Sequence, residues 1–170
     1  MIRTFVADVE DVPGVLNRVA SLFRRRAYNI ESLTVSRTER AGVSRMTIVM
    51  NADDDTARRV EANLYKMVNV LFVQDLSARS SVVREMALIK VRADAGSRAE
   101  LLQRTEDAGA RIIDVSETSL TMEMAGTQPG LDRFIAALAP FGIIELLRTG
   151  AVAMARGAAP VAAPDQPQET

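Results

Sequence analysis

The sequence contains no cysteine and no histidine. Without cysteine there is no disulfide, no thiolate nucleophile and no zinc–thiolate site. Without histidine the usual general base near neutral pH and the commonest metal ligand are both missing, and no Ser-His-Asp set can be assembled. Lys66 and Lys90 are the only lysines, so catalysis would have to rest on carboxylates, hydroxyls or these two amines. No glycine-rich phosphate loop of either common spacing occurs. No metal ligand set and no cofactor motif is expected in this chain. No uninterrupted apolar run is long enough to cross a bilayer. Acidic residues, beginning with Asp8, enter too early for a secretory signal. The expected location is the cytoplasm, with no membrane partner.

A large charge excess is also lacking. The 21 basic residues are offset by 22 acidic ones, for a formal net charge of -1. A chain that neutralises many phosphates carries a positive excess, so nucleic acid is not expected as a partner. On the same ground Arg24-Arg25-Arg26 is read as a solvated helix end rather than an anion patch.

What remains is an ordinary globular composition. The 170 residues, 48% hydrophobic and 25% charged, suffice for one medium domain or two small ones. Domains of roughly 75 residues bury a modest fraction of their surface and gain from a neighbour or a partner.

The pattern favours two such domains. Ile2 to Val9 reads as a strand. Asp11-Val12-Pro13-Gly14 is a turn in which Asp11 is a candidate helix cap. Val15, Leu16, Val19, Leu22 and Phe23 recur at helical spacing, giving an amphipathic helix over Val15 to Arg26. Strands follow at Ile30 to Ser36 and Val43 to Met50. A second helical stripe runs through Ala57, Val60, Leu64, Met67 and Val68, and a strand over Val70 to Leu76 closes a βαββαβ unit of ferredoxin-like order. Ala78-Arg79-Ser80-Ser81 reads as a linker. The order then repeats: strand Arg84 to Val91, helix Ser97 to Ala108 closed by Gly109, strands Arg111 to Ser116 and Leu120 to Ala125, a helix marked by Leu131, Phe134, Ile135 and Leu138 that stops at Pro140, and strand Ile143 to Leu147. Gly150 to Met154 is a short apolar extension. The expected fold class is therefore α+β, two tandem ferredoxin-like βαββαβ domains over residues 1–78 and 82–157. Residues 158–170, rich in alanine, proline and polar residues, are expected to be a disordered tail.

Two segments admit a ligand-binding reading beside a purely structural one. The loop Asp11 to Gly14 ends a strand and opens a helix, where free backbone N–H groups attract a carboxylate and glycine permits close approach; the same spacing also describes a capped turn. The Asn29 amide can both donate and accept, so it could hold an amino acid, and it is equally an ordinary turn residue. The methionines on strand and helix faces read as core filling.

A resemblance bears on these alternatives. Gly14-Val15-Leu16, Arg18-Val19, Leu22-Phe23, Tyr28 to Val35 and Ser44 to Ile48 resemble the small regulatory subunits of acetolactate synthase. So do Arg84 to Val91, Ile112 to Val115, Ala125-Gly126-Thr127 and Arg148-Thr149-Gly150. The resemblance covers about residues 1 to 157 and is most specific from Asn29 to Val35. It implies that the first domain is an ACT domain, that such domains pair edge to edge into a homodimer, and that a branched-chain amino acid, usually valine, sits where the strand–helix loop of one protomer meets the second strand of its neighbour. Carried onto this sequence, the implied effector site uses Asp11, Gly14, Val15, Asn29 and Ile30. Gly14 and Val15 would act through backbone N–H groups. Many members have asparagine where this chain has Asp11, and an aspartate cannot donate to a carboxylate. The implied partner is a catalytic large subunit carrying thiamine diphosphate, magnesium and FAD, which condenses pyruvate with pyruvate or 2-oxobutyrate. This chain would be non-catalytic. The alternative is a free-standing ACT-domain amino-acid sensor acting on another target; no helix-turn-helix or basic ribbon supports a DNA-binding version of it.

Overall fold

The computed structural model describes residues 1–157; the expected tail lies outside them. The chain forms two compact units, one from Met1–Val83 together with the segment beginning at Ala151, the other from Arg84–Gly150.

In the first unit, β1 (Ile2–Glu10), α1 (Val15–Arg25), β2 (Ile30–Arg37), β3 (Val43–Asn51), α2 (Asp54–Tyr65) and β4 (Val70–Asp75) follow in βαββαβ order. The strands lie β2-β3-β1-β4, each antiparallel to its neighbour. The helices cover one face. Val15, Val19, Leu22 and Phe23 of α1 and Ala57, Val60 and Leu64 of α2 meet Phe5, Ala7, Val9, Met46, Ile48 and Met50 in one core, as their helical and alternating spacings require. The second unit repeats the plan with β5 (Ser81–Arg92), α3 (Arg98–Asp107), β6 (Arg111–Val115), β7 (Ser119–Gly126), α4 (Gln128–Leu138), a 3-10 turn at Ala139–Phe141 and β8 (Ile143–Arg148). Its order, β6-β7-β5-β8, is the same permutation. Its core joins Ala87, Ile89 and Val91 to Leu101, Leu120, Met122, Leu131, Phe134 and Leu138. The expected α+β class and tandem ferredoxin-like order are therefore present. Among the described residues no helix is long and apolar enough to cross a membrane.

Three local expectations change. The stripe of α2 stops earlier than its spacing suggests: the helix ends at Tyr65, and Val68 is 93% exposed. Asp11 does not cap α1, because the N-cap position falls on Gly14. Side chains cap other helices: Asp53 on α2 accepts the Thr56 N–H at 2.7 Å, a bond that holds the Asp53 carboxyl below its usual range, and Thr127 on α4 accepts the Gly130 N–H at 3.3 Å. Finally, the apolar extension is a strand, β9 (Val152–Ala155), and it groups with the first unit. Ala153 is small enough to lie against Val6 and Leu76.

β1 is buried from Arg3 to Val9, on both faces. Alternation puts Phe5, Ala7 and Val9 toward the helices and Thr4, Val6 and Asp8 on the opposite face. Asp8, with 1% of its side chain exposed, takes Arg45 Nε at 2.7 Å and Arg45 Nη2 at 3.2 Å from the directly opposed position on β3, and Arg40 Nη2 at 2.5 Å from the β2–β3 turn. The hydrogen bond to Asp8 raises the Arg45 guanidinium above its ordinary value, against the opposing effect of burial. A buried carboxylate needs such partners, because leaving one ion of a desolvated pair unmatched is strongly unfavourable. Asp8→Ala should lower stability by about 3 kcal/mol, toward the low end of that effect because both arginines reach solvent. Equilibrium unfolding in urea measures this, and a loss under about 1 kcal/mol would mean that hydration of the arginines replaces the pair.

Candidate functional site

The loop from β1 to α1 is built by the backbone. Asp11 N–H donates to Gly42 O at 2.8 Å and Val12 N–H to Glu10 O at 3.0 Å. Gly14 then turns the chain with φ 88° and ψ -8°, a left-handed conformation that disfavours a side chain. Val15, 3% exposed, drops into the core and fixes the start of α1. No side chain caps this helix, and Val15 N–H makes only a long bond to Val12 O, 3.5 Å, so the first-turn N–H groups, which have no intrahelical acceptor, keep much of their partial positive charge for an anion. The Asp11 carboxylate instead lies 3.6 Å from Arg37 Nε at the end of β2, with both groups largely in solvent. Beside the loop, Arg18 donates to Asn69 Oδ1 at 2.5 Å and Asn69 Nδ2 donates to Glu10 at 2.5 Å.

The other half of the site begins where α1 ends. Tyr28 N–H donates to Phe23 O at 3.0 Å and Ala27 N–H to Arg24 O at 3.1 Å, the paired bonds of a Schellman stop. Its usual apolar contact is present as an edge-on pairing of the Phe23 and Tyr28 rings, centroids 6.0 Å apart. The residue that must be left-handed here is Ala27, at φ 53°. This stop delivers exposed Asn29 and half-buried Ile30 to the start of β2.

A register irregularity then falls between Ile30, opposite Met50, and Ser32, opposite Val49. Strict alternation would place residues 30, 32 and 34 on one face. The extra residue, Glu31, reverses that parity. Ile30 joins Leu33 on the helix side, packed against the first core, while Ser32 and Thr34 turn to the other face.

The five expected site residues therefore form two groups in one chain. β1 and β2 are both antiparallel to β3, hence parallel to each other. Asp11, Gly14 and Val15 follow Glu10, which is level with Val43; Asn29 and Ile30 start at the level of Met50. At about 3.4 Å per residue the groups are roughly 24 Å apart along the strand direction. The fold gathers Asp11, Gly14 and Val15, gathers Asn29 and Ile30, and does not bring the two groups together within one chain.

Sequence reading missed Arg37 as the neighbour of Asp11 and missed the Arg18–Asn69–Glu10 relay, since no spacing links residues brought together by sheet register. Among the described residues no three His, Cys, Asp or Glu converge as a metal set. In the second unit a groove of about 430 Å³ runs beside α3 and α4 over Met124, Ala137 and Phe134. Its Arg104 is already engaged by Glu100 at 2.6 Å and by the Phe141 ring at 5.4 Å.

Comparison with known proteins bears on both units. Residues 5–72 match the family model described as the AHAS small subunit-like ACT domain, and residues 84–157 match that of the small subunit of acetolactate synthase. The chain is 46% identical over 149 residues to the acetolactate synthase small subunit of Mycobacterium leprae, with 88% of each chain covered. It is 46% identical over 157 residues to the probable acetolactate synthase small subunit of Archaeoglobus fulgidus, covering 92% of this chain and 98% of that one. The crystal structure of the acetolactate synthase small subunit from Thermotoga maritima superposes with a TM-score of 0.87 at 38% identity, covering 94% of this chain and 99% of that one.

The strained helix stop gives a test of the local geometry. Ala27→Gly removes the left-handed penalty of about 1–2 kcal/mol and returns part of it as unfolded-state entropy. The variant should be more stable by about 1 kcal/mol in urea unfolding; a loss of stability would refute the left-handed assignment of Ala27.

Proposed function

The chain belongs to the acetolactate synthase small-subunit family, and on that premise we propose that it activates a separate catalytic subunit and makes that subunit sensitive to feedback by a branched-chain amino acid, valine first among them. The catalytic partner supplies thiamine diphosphate, magnesium and FAD and joins pyruvate to pyruvate or 2-oxobutyrate. This chain contributes no reacting group. It contributes binding energy that differs between two states of the complex, which is what feedback requires.

The observation that carries this reading is the split site. An uncapped helix end with a left-handed glycine, and an exposed asparagine beside a half-buried isoleucine, stand at opposite ends of one sheet. In a two-fold homodimer joined along β2 the strands run antiparallel across the axis. The start of β2 in one protomer then comes level with the β1–α1 loop of its partner. An amino acid bound there meets the N–H groups of Gly14 and Val15 with its carboxylate, the Asn29 amide with its polar end, and Ile30 with its side chain. Pairing also covers β2, an edge strand whose free N–H and C=O groups otherwise face water. Effector binding and dimerisation thereby depend on each other.

Asp11 sets the affinity. Its carboxylate repels that of the effector, and Arg37, 3.6 Å away in solvent, offsets only part of the charge.

Acetolactate formation by the cognate catalytic subunit should rise when this chain is added and fall again when valine is added. No rise with a folded chain and a competent partner would remove the activating role. A rise that no branched-chain amino acid reduces would remove the feedback role. Asp11→Asn should tighten valine binding roughly five- to tenfold in calorimetric titration, because one like charge at a solvated site costs on the order of 1 kcal/mol. An unchanged or weaker isotherm would place the effector carboxylate away from Asp11.

A further inference from the structure

The face of the first sheet opposite its helices carries a contact that the effector reading does not use. Ser32 and Thr34, turned to this face by the extra residue Glu31, hold both polar groups of a single residue from the far end of the chain. Ala151 N–H donates to Ser32 Oγ at 2.9 Å, and Thr34 Oγ1 donates to Ala151 O at 2.6 Å. Ala151 is 2% exposed. Immediately after it, β9 runs on: Ala153 packs with Val6 and Leu76, with Val83 and Ala155 against them, and Arg156 N–H donates to Ser80 O at 2.9 Å. The segment is a strap, clipped to β2 at one end and seated on an apolar cluster at the other.

β2 has need of a second anchor. Among the described residues it pairs only with β3, and the ladder is irregular between Ile30 and Ser32. Backbone pairing therefore constrains the segment carrying Asn29 and Ile30 least where the effector would need it most fixed. The clip at Ser32 and Thr34 begins one residue past the irregularity. On the other side, only Gly150 separates Ala151 from Thr149, whose N–H donates to Met86 O at 2.9 Å and whose Oγ1 accepts the Met86 N–H at 3.0 Å.

We infer that the Ser32–Ala151–Thr34 clip is the device that fixes the effector half-site on β2 and ties its position to the C-terminal chain, so that effector occupancy and the strap are thermodynamically coupled. This rests on the effector reading above, and it adds the element through which that site is regulated. Ser32 and Thr34 are positioning residues: their hydroxyls are engaged by Ala151, and they act through the placement of Asn29 and Ile30. By reciprocity, whatever effector binding does to β2 it does to the strap, and loosening the strap must weaken the effector.

The test is the full-length double variant Ser32→Ala, Thr34→Val, which keeps size and removes both hydrogen bonds, with Thr34→Ser as the variant that retains the donor. Two measurements are made. Hydrogen exchange of the 30–37 amides, in the chain without effector, reads the clip directly. Valine titration, with inhibition of the reconstituted holoenzyme, reads the coupling. The double variant should exchange faster over 30–37, bind valine about tenfold more weakly and resist inhibition to match, given two lost hydrogen bonds. It should still activate the catalytic subunit, and Thr34→Ser should behave as the parent. Unchanged exchange over 30–37 would overturn the clip. Faster exchange with parental valine affinity would overturn its link to the effector half-site. If the parent chain itself binds no branched-chain amino acid, the effector reading fails and takes the coupling with it, while hydrogen exchange still decides the clip. Should the double variant not fold, Ser32→Ala and Thr34→Val are read singly against the same outcomes.

Discussion

β1 is a strand buried on both faces, and much of the first unit is a response to that fact. Seven consecutive residues, Arg3 to Val9, are buried. A sheet with helices on one side satisfies Phe5, Ala7 and Val9 only. Val6 on the other side is fully buried, which is worth about 2 kcal/mol for a side chain of that size, and it needs something apolar above it. β9 provides Ala153. Asp8 on the same side needs charge rather than grease, and takes two arginines from β3 and the turn before it. The outer face is thus closed by the segment after Gly150 and by an ion cluster, and both devices lie against strands that border the proposed effector half-sites.

The consequence for regulation lies in the edge strand. β2 is flanked on one side only, and its one irregularity separates the residues proposed to face the effector from those that grip the strap. A strand with uniform alternation would put Ile30, Ser32 and Thr34 on one face, and either the core contact of Ile30 or the clip on Ala151 would be lost. One inserted residue lets a single strand serve two faces. The proposed coupling needs such a contact, because packed elements have few discrete arrangements rather than a continuum.

The proposed effector site needs little from side chains. A helix end left without a side-chain cap, at a glycine in a left-handed turn, presents N–H dipoles held in place by the backbone. Asp11 works against an anion there and Arg37 works for it. In the proposed site the balance of these two solvated charges, rather than the fold, would govern how tightly a carboxylate is held. That leaves affinity open to adjustment by single surface residues while the scaffold stays the same.

Local pattern made a good deal of this legible. The helical spacing of Val15, Val19, Leu22 and Phe23, the alternation through Met46, Ile48 and Met50, and the repeat of element order after residue 80 determined two ferredoxin-like units, because periods of 3.6 and 2 are imposed by backbone geometry within each segment. Absence of histidine and cysteine narrowed the chemistry before any fold was considered. The motifs around Gly14 and from Asn29 to Val35 pointed to the family. Tertiary structure alone decided the rest. That Asp11 meets Arg37, that Asp8 is the buried anion, and that the short run after Gly150 returns to clip β2 depend on contacts between residues far apart in sequence. The placement of the two half-sites at opposite ends of one sheet follows from strand order, and the reversal of β2 by Glu31 from pairing with β3. Neither leaves a periodic trace, since a bulge and a register are properties of two strands together and no single segment encodes them.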